Sequence, residues 1–243
     1  MKFLPTWATA FLLLLQATPP VLAQGGGSEW HIHMQEAVEL HSTGDYDRGV
    51  IIATKALEVA ENNDGPEHPN VAASLNILAS LYNSQGQDAQ AEPLYKRALA
   101  IVEVALGPDH PNVARSLGNL ALLYHTQGQY GQAEPLFKRA LAVAEKTHGP
   151  DDPHVAVSLN NLAGLYNIQG QHAQAEALYK RALAIDEKAL GPNHPDVAID
   201  LNNLASLYDT QGQYAQAEVL YKRALGIAEK TLDRKIVVVA IGV

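Results

Sequence analysis

The stretch Pro111–Gly149, PNVARSLGNLALLYHTQGQYGQAEPLFKRALAVAEKTHG, decides the fold, because it recurs along the chain at a fixed interval. Aligned on the central glycine, its copies fall at Gly44, Gly86, Gly128, Gly170 and Gly212, each 42 residues after the last. One such unit has an apolar face and nothing of its own to bury it against. Neighbours must therefore stack into a continuous core, and at least about three units are needed for stability.

Within the central copy, Leu117, Leu120, Ala121 and Tyr124 follow the i, i+3, i+4, i+7 spacing of one helical face, here named helix A. After the turn around Gly128, Tyr130, Ala133, Phe137, Ala140 and Leu141 repeat that period, giving a longer helix B that runs to about Lys146. Ala121 and Ala133 stand where close helix approach needs a short side chain, and the other copies keep alanine there: Ala79, Ala163 and Ala205, then Ala91, Ala175 and Ala217. The pattern predicts an all-α chain, a right-handed superhelical solenoid of about five antiparallel helix pairs.

Leu, Leu-Ala, Tyr, Gly, Tyr, Ala, Tyr/Phe and Ala-Leu, in that order, resemble the tetratricopeptide repeat, although the ordinary repeat is about 34 residues long and this one is longer. The longer form, with L-N-N-L-A in helix A and a G-P-x-H-P connection, is similar to the repeats of kinesin light chains and of many bacterial arrays. The resemblance covers roughly Trp30 to Lys230. It implies a surface that binds peptides or proteins and leaves the partner open.

With 47% hydrophobic and 18% charged residues, the 243-residue chain has enough apolar material for a sizeable core. A net charge of −9 with no basic block argues against a nucleic-acid or anionic-lipid partner. The chain has no cysteine, which excludes disulfides, thiolate metal sites, cysteine nucleophiles and a lipid anchor on cysteine. No G-x-S-x-G, phosphate loop or H-E-x-x-H is present, so neither an enzyme nor a bound cofactor is expected.

Taken in order, residues 1–23 read as a signal peptide: Lys2 supplies the positive start, Ala8 to Leu15 the apolar middle, and Val21-Leu22-Ala23 the cleavage site. An uncleaved anchor is the rival reading, but Pro5 and Pro19-Pro20 leave an apolar run shorter than the roughly 20 residues a span needs. The expectation is export to a periplasm or the medium, with no membrane span after cleavage. Residues 24–29 form a flexible spacer and 30–232 the array, whose first repeat is divergent. There His33 and Glu36 replace the leucines that match Leu117 and Leu120, as suits a terminal cap. Glu29, His33 and Glu36 could also share a helical face as metal ligands, but a polar terminal repeat is the simpler reading.

The connections Gly65-Pro66-Glu67-His68-Pro69, Gly107-Pro108-Asp109-His110-Pro111, Gly149-Pro150-Asp151-Asp152-Pro153 and Gly191-Pro192-Asn193-His194-Pro195 share one logic. Glycine closes helix B, proline forbids its continuation, and the second proline suits the first position of the next helix. The recurring histidines invite a metal reading. Stacking would hold them a helix pair apart, however, and Asp152 replaces one, so capping is expected instead. Pro93 and Pro135 fall early in helix B, where few amides have an intrahelical acceptor. The apolar tail, residues 233–243, leaves three readings open: a strand or loop folded on the exposed end, a sticky disordered segment, or the scar of a longer array. The exposed terminal face invites self-association or a missing downstream partner. A further reading makes this chain the sensor portion of a longer protein whose effector domain was lost after Leu232.

Helix A should line the concave side, with Arg115, Asn119, Leu122 and Thr126 on its open face beside Gly118 and His125. Equivalent places are Ala73, Ile77, Ser80 and Ser84; Val157, Asn161, Gly164 and Ile168; and Ile199, Asn203, Ser206 and Thr210. Asn119, Asn161 and Asn203 form a ladder, with Asn76, Asn160 and Asn202 one residue earlier and Asn83, His125, Asn167 and Asp209 at the next rank. Each carboxamide offers donors and an acceptor to an extended peptide backbone. In kinesin light chains the similar asparagines contact the cargo backbone, so the resemblance implies peptide binding at Asn119, Asn161 and Asn203. The competing reading is that these amides tie adjacent helices together. The basic residues that serve acidic cargo in that family are missing here, since Arg115 is matched by Ala73, Val157 and Ile199.

Overall fold

A computed structural model describes the backbone of residues 27–241 and the side chains of residues 29–230. The expected signal peptide lies outside the described residues. Ten helices follow one another among those described, with no strand: α1 Gly27–Thr43, α2 Tyr46–Asp64, α3 Pro69–Ser84, α4 Asp88–Leu106, α5 Pro111–Thr126, α6 Tyr130–His148, α7 Pro153–Ile168, α8 His172–Leu190, α9 Pro195–Thr210 and α10 Tyr214–Ile241. Odd-numbered helices are the A helices of five repeats and even-numbered ones the B helices. Helix α1 begins at Gly27, so part of the stretch read as spacer is helical.

The chain divides into two compact units, the first holding residues 27–143 and the second 144–241. In the first, Leu75, Leu117, Val71, Val113, Ala98 and Ile101 are buried together with Trp30, whose indole Nε1 donates to Ser74 Oγ at 2.9 Å. In the second, Val197, Leu201, Ala224 and Ile227 form the corresponding core between α9 and α10. Leu120, Leu162 and Leu204 are 4%, 4% and 3% exposed, as the periodicity requires. Each leucine removed from water in this way contributes about 1.5–3 kcal/mol.

Both turn types depend on glycine. Gly128, at φ +73°, lets α5 reverse into α6, and Gly107, at φ +88°, ends α4 with its amide returned to Glu103 O. The four prolines after the connections all stand in the first turn of their A helix. His68, His110 and His194 are the N-caps, each ring Nδ1 accepting the amide two residues on, and Asp152 does the same through Oδ1 at 2.9 Å.

Within each unit, successive B helices are also tied by ion pairs with a spacing of 36 residues, Arg97 to Glu61 at 2.8 Å and Arg181 to Glu145 at 2.6 Å among them. The final helix passes Lys230 without interruption to Ile241, whereas the sequence left a folded strand or loop, a disordered segment and the scar of a longer array open for the tail. No glycine or proline stands between Lys230 and Ile241, so the signal that ends the other B helices is absent.

Candidate binding face

The A helices put the candidate residues in three different situations. In α3 the face expected to be open is covered at Ile77 and Ser80: Ile77 packs in a core with Ala37, Ala53 and Leu81, with Met34 and Val38 of α1 against it. Ser80 Oγ and Ser84 Oγ bond to His41 Nε2 at 2.9 and 3.1 Å, and burial pulls the His41 pKa down. The divergent first repeat thus seals the end of the face instead of extending it.

In the row of Asn76, Asn160 and Asn202, the first two are committed to the protein. Asn76, which is buried, donates from Nδ2 to Ala72 O at 3.0 Å and Ser116 Oγ at 3.2 Å, and accepts from Asn119 Nδ2 at 3.3 Å. Asn160 Nδ2 donates to Asp200 Oδ1 at 2.5 Å. These amides join one A helix to the next, the competing reading of the sequence, because their donors end on partners about 40 residues on. Asn83 donates locally to Asp88, and Asn167 Oδ1 meets His172 Nδ1 and accepts from Thr210 Oγ1 of the next A helix. His125 is buried beside the Tyr130 ring, with its pKa lowered by that burial.

What stays open is a narrower set. On α5, Arg115, Gly118, Asn119 and Leu122 are half-buried and Thr126 is exposed. Burial holds the Arg115 guanidinium below its ordinary pKa. On α7 the open residues are Val157, Asn161, Gly164 and Ile168, and on α9 they are Ile199, Asn202, Ser206, Asp209 and Thr210. Asn203 is 7% exposed, so in α9 the outward amide is Asn202 and not the ladder member. Among the described residues, Asn161 and Asn202 make no side-chain hydrogen bond, and each lies on a face with an apolar neighbour, Val157 or Ile199. Such a face offers amide donors and acceptors between small and branched apolar surfaces, suited to a peptide backbone with alternating side chains.

Two functional-looking groups escaped the sequence reading. Asp186 and Asp200 are buried against each other between α8 and α9, where the other repeats place Ala60, Val102 or Ala144 and Ser74, Ser116 or Ser158. At the opposite extreme, Tyr221 of α10 is 38% exposed whereas its counterparts Tyr95, Phe137 and Tyr179 are 1%, 1% and 5% exposed. Comparison of each repeat with its siblings would have marked the aspartates.

The tetratricopeptide repeat profile matches the chain in four overlapping stretches, residues 37–103, 76–146, 123–188 and 154–230. Among solved structures, the nearly identical tetratricopeptide-like repeats of a Podosopora anserina kinesin light chain-like protein are 27% identical. The match covers 86% of this chain and 99% of that one, with a TM-score of 0.67. BtubC (BKLC) from P. vanneervenii is 26% identical over 80% of this chain and 78% of its own, with a TM-score of 0.67. A Rap protein solved with competence and sporulation factor shares the fold, with a TM-score of 0.73 at 18% identity over 87% of this chain and 57% of its own. No curated protein matches. With its helix pairs, glycine turns and capped connections in register with that profile over most of its length, the chain belongs to the tetratricopeptide repeat family.

Proposed function

We propose that the chain is a non-enzymatic, exported scaffold that holds extended peptide or protein segments on the open faces of its A helices, α5 in the first unit and α7 with α9 in the second. The observation that carries this reading is the pair of outward amides, Asn161 and Asn202, which have no hydrogen bond among the described residues and stand beside apolar Val157 and Ile199. Arg115 is the one basic residue among those named on these faces, so the preferred segment is neutral to weakly polar. Export rests on the sequence of residues 1–23, and mass spectrometry of the natural protein should give a mature chain beginning at Gln24.

The binding reading is tested by selecting from a displayed random-peptide library with the full chain, then measuring affinity for the selected peptides by fluorescence anisotropy. An Asn119, Asn161, Asn202→Ala variant should lose at least about tenfold, some 1.4 kcal/mol. Retained affinity in a folded variant would remove the face from the account.

A second contact is supported by the exposed apolar strip Tyr214, Tyr221 and Leu225 on one face of α10. Earlier repeats bury the counterparts of Tyr221, so the strip suits a further helix pair of the same type, supplied by a second copy of the chain.

A further inference from the structure

The connection between α6 and α7 departs from its siblings at three positions, and the departures converge. It has His148 where the others have Asp64, Leu106 and Leu190; Asp152 where they have His68, His110 and His194; and His154 where they have Asn70, Asn112 and Asp196. One ligand atom from each of His148, Asp152 and His154 lies within 4.8 Å of the other two, the one such trio among the described residues. The two imidazoles stack with centroids 4.5 Å apart and planes 11° from parallel. Asp152 Oδ1 accepts from the His154 amide at 2.9 Å and contacts its Nδ1 at 2.7 Å.

Capping accounts for the carboxylate alone. The sibling connections cap their helices with a single imidazole and have no second one, so His148 and His154 are additions that capping does not require. Two imidazole nitrogens and a carboxylate oxygen make up the donor set of zinc and its first-row neighbours, with water completing the coordination. Magnesium and calcium prefer oxygen donors. An imidazole lone pair lies in the ring plane, so stacked rings cannot both aim at one ion. Each must turn about its Cβ–Cγ bond, and the His154 side chain, 70% exposed, has the room to do so. The neighbouring Asp151 is held by Lys188 Nζ at 2.6 Å and is not needed as a ligand.

We propose that His148, Asp152 and His154 form a surface site for a borderline divalent cation, zinc foremost, that clasps the end of α6 to the first turn of α7. The test is isothermal titration of the full chain, without a polyhistidine tag, with zinc chloride and separately with magnesium chloride. One zinc ion should bind per chain with a dissociation constant on the order of micromolar. The double variant His148→Leu, His154→Asn installs residues that sibling connections carry, and it should bind zinc at least about tenfold more weakly with an unchanged metal-free melting temperature. Asp152→Asn, which keeps a capping oxygen, should also weaken zinc. Zinc uptake that survives the double variant, no zinc uptake by the parent, or equal uptake of magnesium would each overturn the assignment.

Discussion

Asp186 and Asp200 meet at 4% and 1% exposure between α8 and α9, where a proton held by one carboxyl can be shared with the other. Burial is the first cause of their raised pKa values, and for Asp200 it is opposed by the bond from Asn160 and assisted by the charge of Asp186. Asp196, His194 and Asp152 also face the pair, the two aspartates pushing Asp186 upward and the histidine pulling it down. Asp200 is pushed up to about 8.

The pair makes stability depend on pH. A carboxyl whose folded pKa lies above its unfolded value binds more protons in the folded state, so stability falls as pH rises from the ordinary carboxylate range to about 8. Thermal melts of the parent between those limits should show this decline. Asp200→Asn removes the charge that must be buried, so it should flatten the curve and raise stability at the alkaline end by about 1–2 kcal/mol. A parent and variant with parallel curves would contradict the shared proton.

The asparagines should separate by role. Asn76→Ala leaves Ser116 and Asn119 without this partner in a buried place and should cost about 1–2 kcal/mol in urea denaturation. Asn161→Ala breaks no side-chain bond among the described residues, so its stability should stay within about 0.5 kcal/mol of the parent while peptide affinity drops. Equal destabilisation by both would erase the distinction between the two rows.

Capping can be checked with the substitution the array itself contains. His110→Ala should cost about 1 kcal/mol, and His110→Asp should restore most of it, because Asp152 fills the same position in α7. Failure of aspartate to rescue would show that the ring packs as well as caps.

The exposed strip on α10 should govern solution size. Analytical ultracentrifugation of the parent should show a concentration-dependent dimer, and Tyr221→Ser with Leu225→Ser should shift it to monomer. A monomeric parent at all concentrations would dismiss the contact.

The helices were legible because a fixed period repeats every local signal: an apolar face, a glycine turn, a closing glycine and a proline after the cap. The open face was less so. Asn160 and Asn161 are adjacent and chemically identical, yet one spends its donor on Asp200 while the other makes no side-chain bond among the described residues. Which of them points outward is settled by the neighbouring A helix, and helical period cannot supply that. Ile77 and Ser80 were misplaced for the same reason: α1, too divergent to weigh from its pattern, lies over them. The buried aspartates are ordinary in isolation and stand out only beside Val102 and Ser116 of an earlier repeat.

The claim that outward amides of the A helices hold an extended backbone is tested most directly by side-chain amide NMR of the asparagines with a selected peptide added. The account predicts shifts at Asn161 and Asn202, with Asn76 unmoved. Shifts confined to the B helices, or to α10, would contradict it.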